Sequence, residues 1–503
     1  MTKLIDDLQD NFRKHQVRRL ESFLRSGLLR RFLHLSLVLA ICGVAFIFSY
    51  KSQDAYLATQ NMAALQQLAA KHGSVRLIIG VRVAITPEGA LNAENITLQR
   101  KEIATMQSAV LHKIASLNNH QTKPKLFAII PFMAMEANPD ELLALSKLNE
   151  VVFIEEDRVA KLADAGSVAV TGSSIAWSMG FSGMAQSIAI LDSGVDKFHP
   201  FLAGKVVSEA CFSTNNAADG ATSLCLGGVA QSTANDSAMP YAGACPAGAC
   251  GHGTAVAGIA AGTNATFTGI AKDAVLIAIQ VFSRFDSVIN CGSATPCVLT
   301  YTSDQILGLE QVYALRNTYN IAAVNMSLGG GRYFSQATCD ATNAAIKAII
   351  DTLRSVNIPT IIASGNDGFI DSMDAPACIS SAISVGATFS LPNYNNHCAG
   401  NNISISSIDS ILCESNSAPF INLLAPGAVI TSSIPGGDYL SWYGTSMAAP
   451  QVAGAWAIMK QKKFNLTVSD GLGALTLTGV PITDPRNNLV KPRIQVDTVL
   501  NAI

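Results

Sequence analysis

A chain of 503 residues, 49% apolar and 14% charged, holds material for a large core and about two to four domains. Its net charge of −2 excludes a dedicated polyanion binder, so no nucleic-acid partner is expected. The apolar content excludes a disordered chain.

Residues 1–31 form a basic arm with eight Lys and Arg against four Asp and Glu. The run FLHLSLVLAICGVAFIFS (Phe32–Ser49) follows, with His34 as its one strongly polar member. It is long enough to cross a bilayer as a helix. With the basic arm held in the cytoplasm, the rest of the chain is exported. Residues 32–50 read either as a transmembrane signal-anchor or as a cleaved signal peptide with a long lead. A buried core helix is the plainer alternative. No clean A-x-A site follows, which favours an anchored precursor. The exported part would then be periplasmic or secreted. Cysteine usage agrees with export: Cys42 lies in the apolar run, and the other ten lie between Cys211 and Cys413. An even number fits up to five disulfides in an oxidising compartment. Local bridges Cys245–Cys250, Cys291–Cys297 and Cys398–Cys413 are expected, although spacing does not settle the pairing.

Residues 52–165 have no cysteine and a different texture. VRLIIGVRV (Val75–Val83), KLFAIIPFMAMEA (Lys125–Ala137) and VVFIEED (Val151–Asp157) read as strands. Apolar residues at helical spacing over Ile96–Leu117 predict a helix. Asn138 and Pro139 open another over 138–148, as N-cap and N1 residues do. The order βαβαβ suits a small two-layer α+β domain over about 70–162.

From about residue 185 the pattern is α/β. SIAILDSGV (Ser187–Val195), AVLIAIQVF (Ala274–Phe282), IAAVNMSL (Ile321–Leu328), IPTIIASGN (Ile358–Asn366) and AISVGA (Ala382–Ala387) are short apolar runs closing on small or polar residues. Helical stretches separate them, including Asp304–Tyr319 and Ala341–Asn357. Strands apolar on both faces, alternating with helices, indicate a mostly parallel, doubly wound sheet covered on both sides. Such sheets bind ligands at the carboxyl ends of their strands.

Four polar residues stand at such ends or at helix starts. Asp192 closes the first strand; taken alone, it reads as an Asx turn. His252, in GHGTAVAGIAAG, begins a helix of small residues that can approach a neighbour closely. Ser446, in YGTSMAAPQVAG, taken alone is an N-cap. A nucleophilic serine needs an open Oγ, a base and donors for an oxyanion, and a helix start supplies free N–H groups. Asn366, in ASGNDG, reads alone as a turn residue or, with the others, as an amide donor.

Together, ILDSGVDKFHP, GHGTAVAGIAAG, NMSLGG, ASGNDG and YGTSMAAPQVAG occur in the order seen in the subtilisin-like serine proteases, and residues 185–460 resemble that family. Residues 70–162 resemble its inhibitory, chaperone-like propeptide. The resemblance implies a three-layer α/β/α catalytic domain over 172–503, preceded by a ferredoxin-like α+β propeptide. It implies a serine endopeptidase made as a self-processing zymogen, acting on protein and peptide substrates, with its own propeptide as inhibitor. Ser446 would be the nucleophile, His252 the general base, Asp192 its orienter, and Asn366 part of the oxyanion hole. Ser327, Leu328 and Gly329, with Ala363, Ser364 and Gly365, would line the pocket for the side chain before the cleaved bond. Their small, apolar character implies medium or large apolar substrate side chains, with no fixed charge to select Lys or Arg. No cofactor is required for this chemistry. Structural calcium is common in the family, but Asp196 alone is no ligand set. The stretch 211–250, between Asp192 and His252, reads as a disulfide-pinned insertion. Gln451 stands where the family commonly has His, outside the proposed triad. A peptide ligase or cyclase on the same scaffold is the close alternative, and an inactive binding homologue the more distant one.

Overall fold

The structure is a computed structural model. It describes residues 62–503 apart from 116–122, 158, 163–168, 241–244, 246–248, 392–393, 399–400 and 406. The chain divides into two units, Met1–Leu65 and Gln66–Ile503, and every element below belongs to the second. The candidate span Phe32–Ser49 lies outside the described residues. Among the described residues, no helix is long and apolar enough to cross a membrane.

The small N-terminal part is a four-stranded antiparallel sheet. Its strand Val75–Val81 pairs with Phe132–Ala137 on one side and Val151–Glu156 on the other. Helix Ala93–Ile114 begins where the Asn92 side chain accepts the Asn95 N–H at 2.8 Å. Helix Pro139–Leu145 begins with a capping box. Asn138 Oδ1 accepts from Asp140 and Glu141 N–H, and Glu141 Oε2 accepts the Asn138 N–H. The single strand expected over Lys125–Ala137 is two strands, Lys125–Leu126 and Phe132–Ala137, folded back antiparallel. Pro131 accounts for the difference: it has no N–H to give a ladder, and the chain turns there.

The large part carries a mostly parallel sheet, in which Val490–Arg493 pairs parallel with Leu423–Ser433 and seven strands form the continuous parallel run beyond it. Across the sheet they run Leu423–Ser433, Ile383–Phe389, Thr360–Ala363, Ile321–Met326, Ser187–Asp192, Val275–Gln280 and Val206–Phe212. Ser187–Asp192 comes first in the chain yet sits inside the sheet, with later strands wound away on both sides. Its carboxyl end is therefore the topological switch point, where open sheets of this class form a crevice. Alternate residues of this strand serve two cores. Ile188 and Ile190 join the apolar cluster containing Val256, Ile259, Val452 and Ala453. Ala189 and Leu191 join another with Ile306, Leu309, Ile346 and Ile349. A strand apolar at every position needs helices on both faces, and the three-layer α/β/α architecture follows.

The helix expected over Ala341–Asn357 is interrupted. Gln336–Thr342 and Ala344–Ser355 are separate because Asn343 leaves helical dihedrals, and its amide donates to Cys339 O at 2.8 Å. After the Ser446 helix (Thr445–Lys462), Leu466, Leu475, Ile494 and Val499 pack into the same cluster as that helix, so the tail adds no domain. Disulfides join Cys211–Cys225, Cys245–Cys250, Cys291–Cys297 and Cys339–Cys378. Cys413 is also disulfide-bonded, whereas the side chain of its expected partner Cys398 lies outside the described residues. The insertion at 211–250 is pinned by two local bridges rather than one across it.

The small part seats on the helix Thr302–Leu315. Ile78, Phe127 and Ile130 share an apolar cluster with Ile306 and Leu309 of that helix. The helix has no capping side chain of its own at Tyr301. Asp157, from the small part, supplies one: its carboxylate accepts Ser303 N–H at 2.9 Å and Ser303 Oγ–H at 2.7 Å. Arg76 holds the same carboxylate at 3.1 and 2.9 Å, and Lys125 pairs with Asp304. Burial pulls the Lys125 ammonium below its usual range, against the attraction of Asp304.

Candidate active site

Asp192 ends its strand at the switch point, and His252 is the first residue of the helix His252–Ala261. Both are buried, and His252 Nδ1 lies 2.8 Å from Asp192 Oδ1. Asp192 Oδ1 also accepts the Ser193 N–H at 2.7 Å, which fixes the carboxylate. An ionised carboxylate only accepts, so Nδ1 carries the hydrogen and Nε2 is left as the basic nitrogen. The close approach depends on Gly253. A Cβ there would stand under 3.0 Å from Gly194 O and 3.0 Å from Asp192 Cβ. The Trp442 indole meets the His252 ring edge-on, with centroids 6.2 Å apart.

Ser446 is the second residue of an 18-residue helix. Gly444 before it has φ +134°, a conformation that L side chains rarely adopt, so the turn into the helix requires glycine. Pro450 lies four residues after Ser446 and has no N–H, which leaves the Ser446 carbonyl without its helical partner. Ser327 Oγ fills the gap, donating to Ser446 O at 2.5 Å. Asn325 Nδ2 in turn donates to Ser327 Oγ at 2.9 Å. The Ser446 hydroxyl itself donates to Ser327 O at 3.2 Å. Gln451, fully buried on the same helix, donates to Pro426 O at 2.5 Å and ties the helix to the strand Leu423–Ser433.

Asn366 lies just past the strand Thr360–Ala363 and is half-buried. Its Oδ1 accepts from Thr445 N–H at 2.8 Å and lies 3.1 Å from Thr445 Oγ1. This network turns Nδ2 the other way, and the amide orientation rests on it. By helix geometry the Ser446 N–H is one of the four donors with no intrahelical acceptor. Two donors and a helix N-terminus suit developing negative charge. The role of Thr445 is not legible in the sequence, because its partner stands 79 positions away.

Both expected pocket segments come to this crevice. The strand Leu328–Tyr333 follows Ser327, and Gly365 N–H donates to Thr445 Oγ1 at 3.2 Å. The Ser364 hydroxyl is turned into the core, donating to Asn416 O at 3.0 Å. The strand Val159–Leu162 lies between two others, antiparallel to both. Leu162 stands opposite Leu328 and Lys161 opposite Gly329, while Ala160 faces Thr300 and Val159 faces Tyr301. Its pairing ends at Leu162, one position short of Ser327.

An acid from outside the expected wall residues lies beside them. A Cβ on Gly329 would stand 3.1 Å from Asp374 Cβ, and one on Gly365 would stand 2.5 Å from the Asp374 carboxyl. A carboxyl group therefore lies against both glycine walls, where the wall residues themselves predict no fixed charge. Asp374 is 47 residues beyond Ser327 in the chain and belongs to the strand Met373–Ala375, so no local pattern marks it. Among the described residues, no group of three or more His, Cys, Asp and Glu is arranged to hold a metal ion.

A profile described as the subtilase family, peptidase S8, matches residues 183–489. Subtilisin NAT of Bacillus subtilis subsp. natto is 30% identical over 382 residues, covering 72% of this chain and 79% of that protein. Subtilisin E of Bacillus subtilis (strain 168) is 29% identical with the same coverage. An alkaline protease of Shouchella clausii is 30% identical over 341 residues, covering 67% of this chain and 70% of the relative. The matched span contains Asp192, His252, Asn366 and Ser446 together with the sheet that gathers them, and the chain belongs to the subtilase family of serine endopeptidases.

Proposed function

We propose that Ser446, His252 and Asp192 are the nucleophile, base and orienter of this endopeptidase. The observation that carries the assignment is the buried 2.8 Å pairing of His252 Nδ1 with Asp192, on a helix against which the Ser446 helix packs at Gly454 and Ala260. Ser446 Oγ attacks the substrate carbonyl while His252 Nε2 takes its proton. The Oγ–carbon bond forms as the carbonyl electrons move onto oxygen, where the Ser446 N–H and Asn366 Nδ2 receive the charge. His252 then protonates the leaving amine, and the C–N bond breaks to give the acyl-enzyme. Water, deprotonated by His252, releases the acid and restores Ser446. Throughout, Asp192 holds the imidazole tautomer and offsets the imidazolium charge.

The part spanning 70–162 acts, in this proposal, as an inhibitory propeptide. Its terminal strand Val159–Leu162 takes the place of a substrate strand, the mode of recognition known as strand addition. The aligned relatives support it. The 72% coverage of 503 residues is about 362 residues, more than the 332 from 172 to 503, so the likeness extends into the small part. Self-cleavage within 160–172, shortly after Leu162, would free the mature enzyme. Export led by the basic arm and the run at 32–50 fits the disulfides, and an uncleaved run would hold the precursor at the membrane until that cut.

The test is expression of the full chain with Ser446→Ala, purified free of other proteases. The precursor is expected to stay uncut, while the wild type yields a new N-terminus shortly after Leu162. Normal processing of the Ser446→Ala chain overturns the self-cleavage and the nucleophile together. Incubating the processed enzyme with a peptide and a free amine separates hydrolysis, the expected outcome, from ligation.

A further inference from the structure

The substrate pocket beside Ser446 has a feature that the small, apolar wall residues do not predict. Gly329 and Gly365, on its two walls, both abut Asp374, so closely that a methyl group on either would press against that side chain. Asp374 is buried at 5% exposure, and its main chain is fixed on the same wall by donation to Ser364 O at 3.1 Å. Its Oδ1 accepts from Asn416 Nδ2 at 3.0 Å. The same amide reaches Asp367 Oδ2 at 3.4 Å, so a second carboxyl faces the first. Asp367 directly follows Asn366, the proposed oxyanion donor. Among the described residues, no cation is paired with Asp374. Arg332, on the strand beside it, is held by Asp371 and Ser372 and lies over the Phe334 and Phe369 rings.

A buried acid without a cationic partner is costly to ionise. Burial and the neighbouring Asp367 raise the Asp374 carboxyl to about 8, opposed by the Asn416 hydrogen bond. A positively charged side chain entering between the glycines would supply the missing partner and stabilise the carboxylate. A large apolar side chain would instead bury against it with nothing to satisfy the oxygens. Resting on the catalytic assignment of Ser446, we propose that Asp374 is the floor of the pocket for the residue before the cleaved bond, and that it selects Lys or Arg there. Residues 162–172 contain no Lys or Arg. The tethered tail is cut intramolecularly, at high effective concentration, and does not require the preferred residue.

The experiment uses the full chain after self-processing, with active sites counted by a fluorophosphonate that labels the nucleophilic serine. Peptides differ only before the cleaved bond, carrying Lys, Arg, Met, Leu, Phe or Ala. For wild type, kcat/KM for Lys is expected to exceed that for Met by about 30-fold at a pH near 9.5, the scale of a desolvated charge pair. Because the raised carboxyl is neutral below about 8, the ratio should fall as the pH is lowered to near 6.5. Asp374→Asn and Asp374→Gly should each lose most of the preference at both pH values. Counting labelled sites separates this loss from misfolding of either variant. A labelled wild-type enzyme that prefers Met, Leu or Phe at high pH, or variants whose Lys-to-Met ratio stays as high as that of wild type, overturns the role of Asp374 and leaves the nucleophile standing. An enzyme that neither takes the label nor cuts any peptide overturns the catalytic assignment, and the inference with it.

Discussion

Gly253→Ala tests whether the tight packing beneath His252 sets the geometry of catalysis. Alanine favours a helix over glycine by about 1 kcal/mol, so on propensity alone the substitution would stabilise the His252 helix. The surroundings decide otherwise. The new Cβ would meet the Gly194 carbonyl under 3.0 Å away, Asp192 Cβ at 3.0 Å and Asp192 Oδ1 at 3.1 Å. Two of these atoms belong to backbone or to the root of a buried side chain, so no flexible end can swing aside. Restoring ordinary contact takes a movement of about 1 Å, and overpacking of this kind costs about 1–3 kcal/mol. The same movement would stretch the 2.8 Å His252–Asp192 bond beyond hydrogen-bonding range. A misplacement of about 1 Å in catalytic geometry costs about 100-fold in rate. The assay is kcat/KM on a peptide, normalised to fluorophosphonate-labelled sites, alongside a thermal melt. A fall of about 100-fold with a lowered melting temperature is expected. A variant with wild-type kcat/KM and an equal or higher melting temperature would refute the packing argument.

Thr445→Val removes the hydroxyl at Asn366 Oδ1 while keeping the backbone N–H bond, so kcat should fall about tenfold with KM little changed. A rise in KM at constant kcat would instead place Thr445 in ground-state binding. Glu310 accepts Ile129 and Ala128 N–H at 2.9 and 3.3 Å, and burial raises its carboxyl to about 7. A raised folded value means that its contribution is fully present below about 4.5, the unfolded range, and is lost as pH climbs through about 7. Measured in uncut Ser446→Ala precursors, the melting temperature of the Glu310 protein relative to Glu310→Gln should therefore fall between about pH 5 and pH 8. A pH-independent difference would show that the carboxyl does not titrate at that interface.

Local patterns carry much of the fold. Strands apolar at every position, such as Ser187–Asp192, announce a sheet buried on both faces. The Asn138 cap and the Pro139 start place a helix within a residue. The candidate site residues stand out because each sits among glycines and small residues within a motif that resembles one of the subtilases; taken singly, each reads as a turn or a cap. Local signals also mislead where a single residue overrules a run: Pro131 splits one expected strand, and Asn343 breaks one expected helix.

The class of sheet follows from short-range periodicity, caps and turns, and the candidate reacting residues follow from short motifs that resemble those of the subtilases. Which distant groups meet is settled only by folding. Folding brings Val159–Leu162 between strands more than 130 residues away, pairs Cys339 with Cys378, and anchors Asn366 on Thr445. It also sets Asp374 against Gly329 and Gly365, turning an apolar-looking pocket into one with an acid at its floor. The reason is physical. Such meetings depend on the order in which strands join the sheet, and that order is set by burial summed over the whole chain rather than by any neighbouring residue.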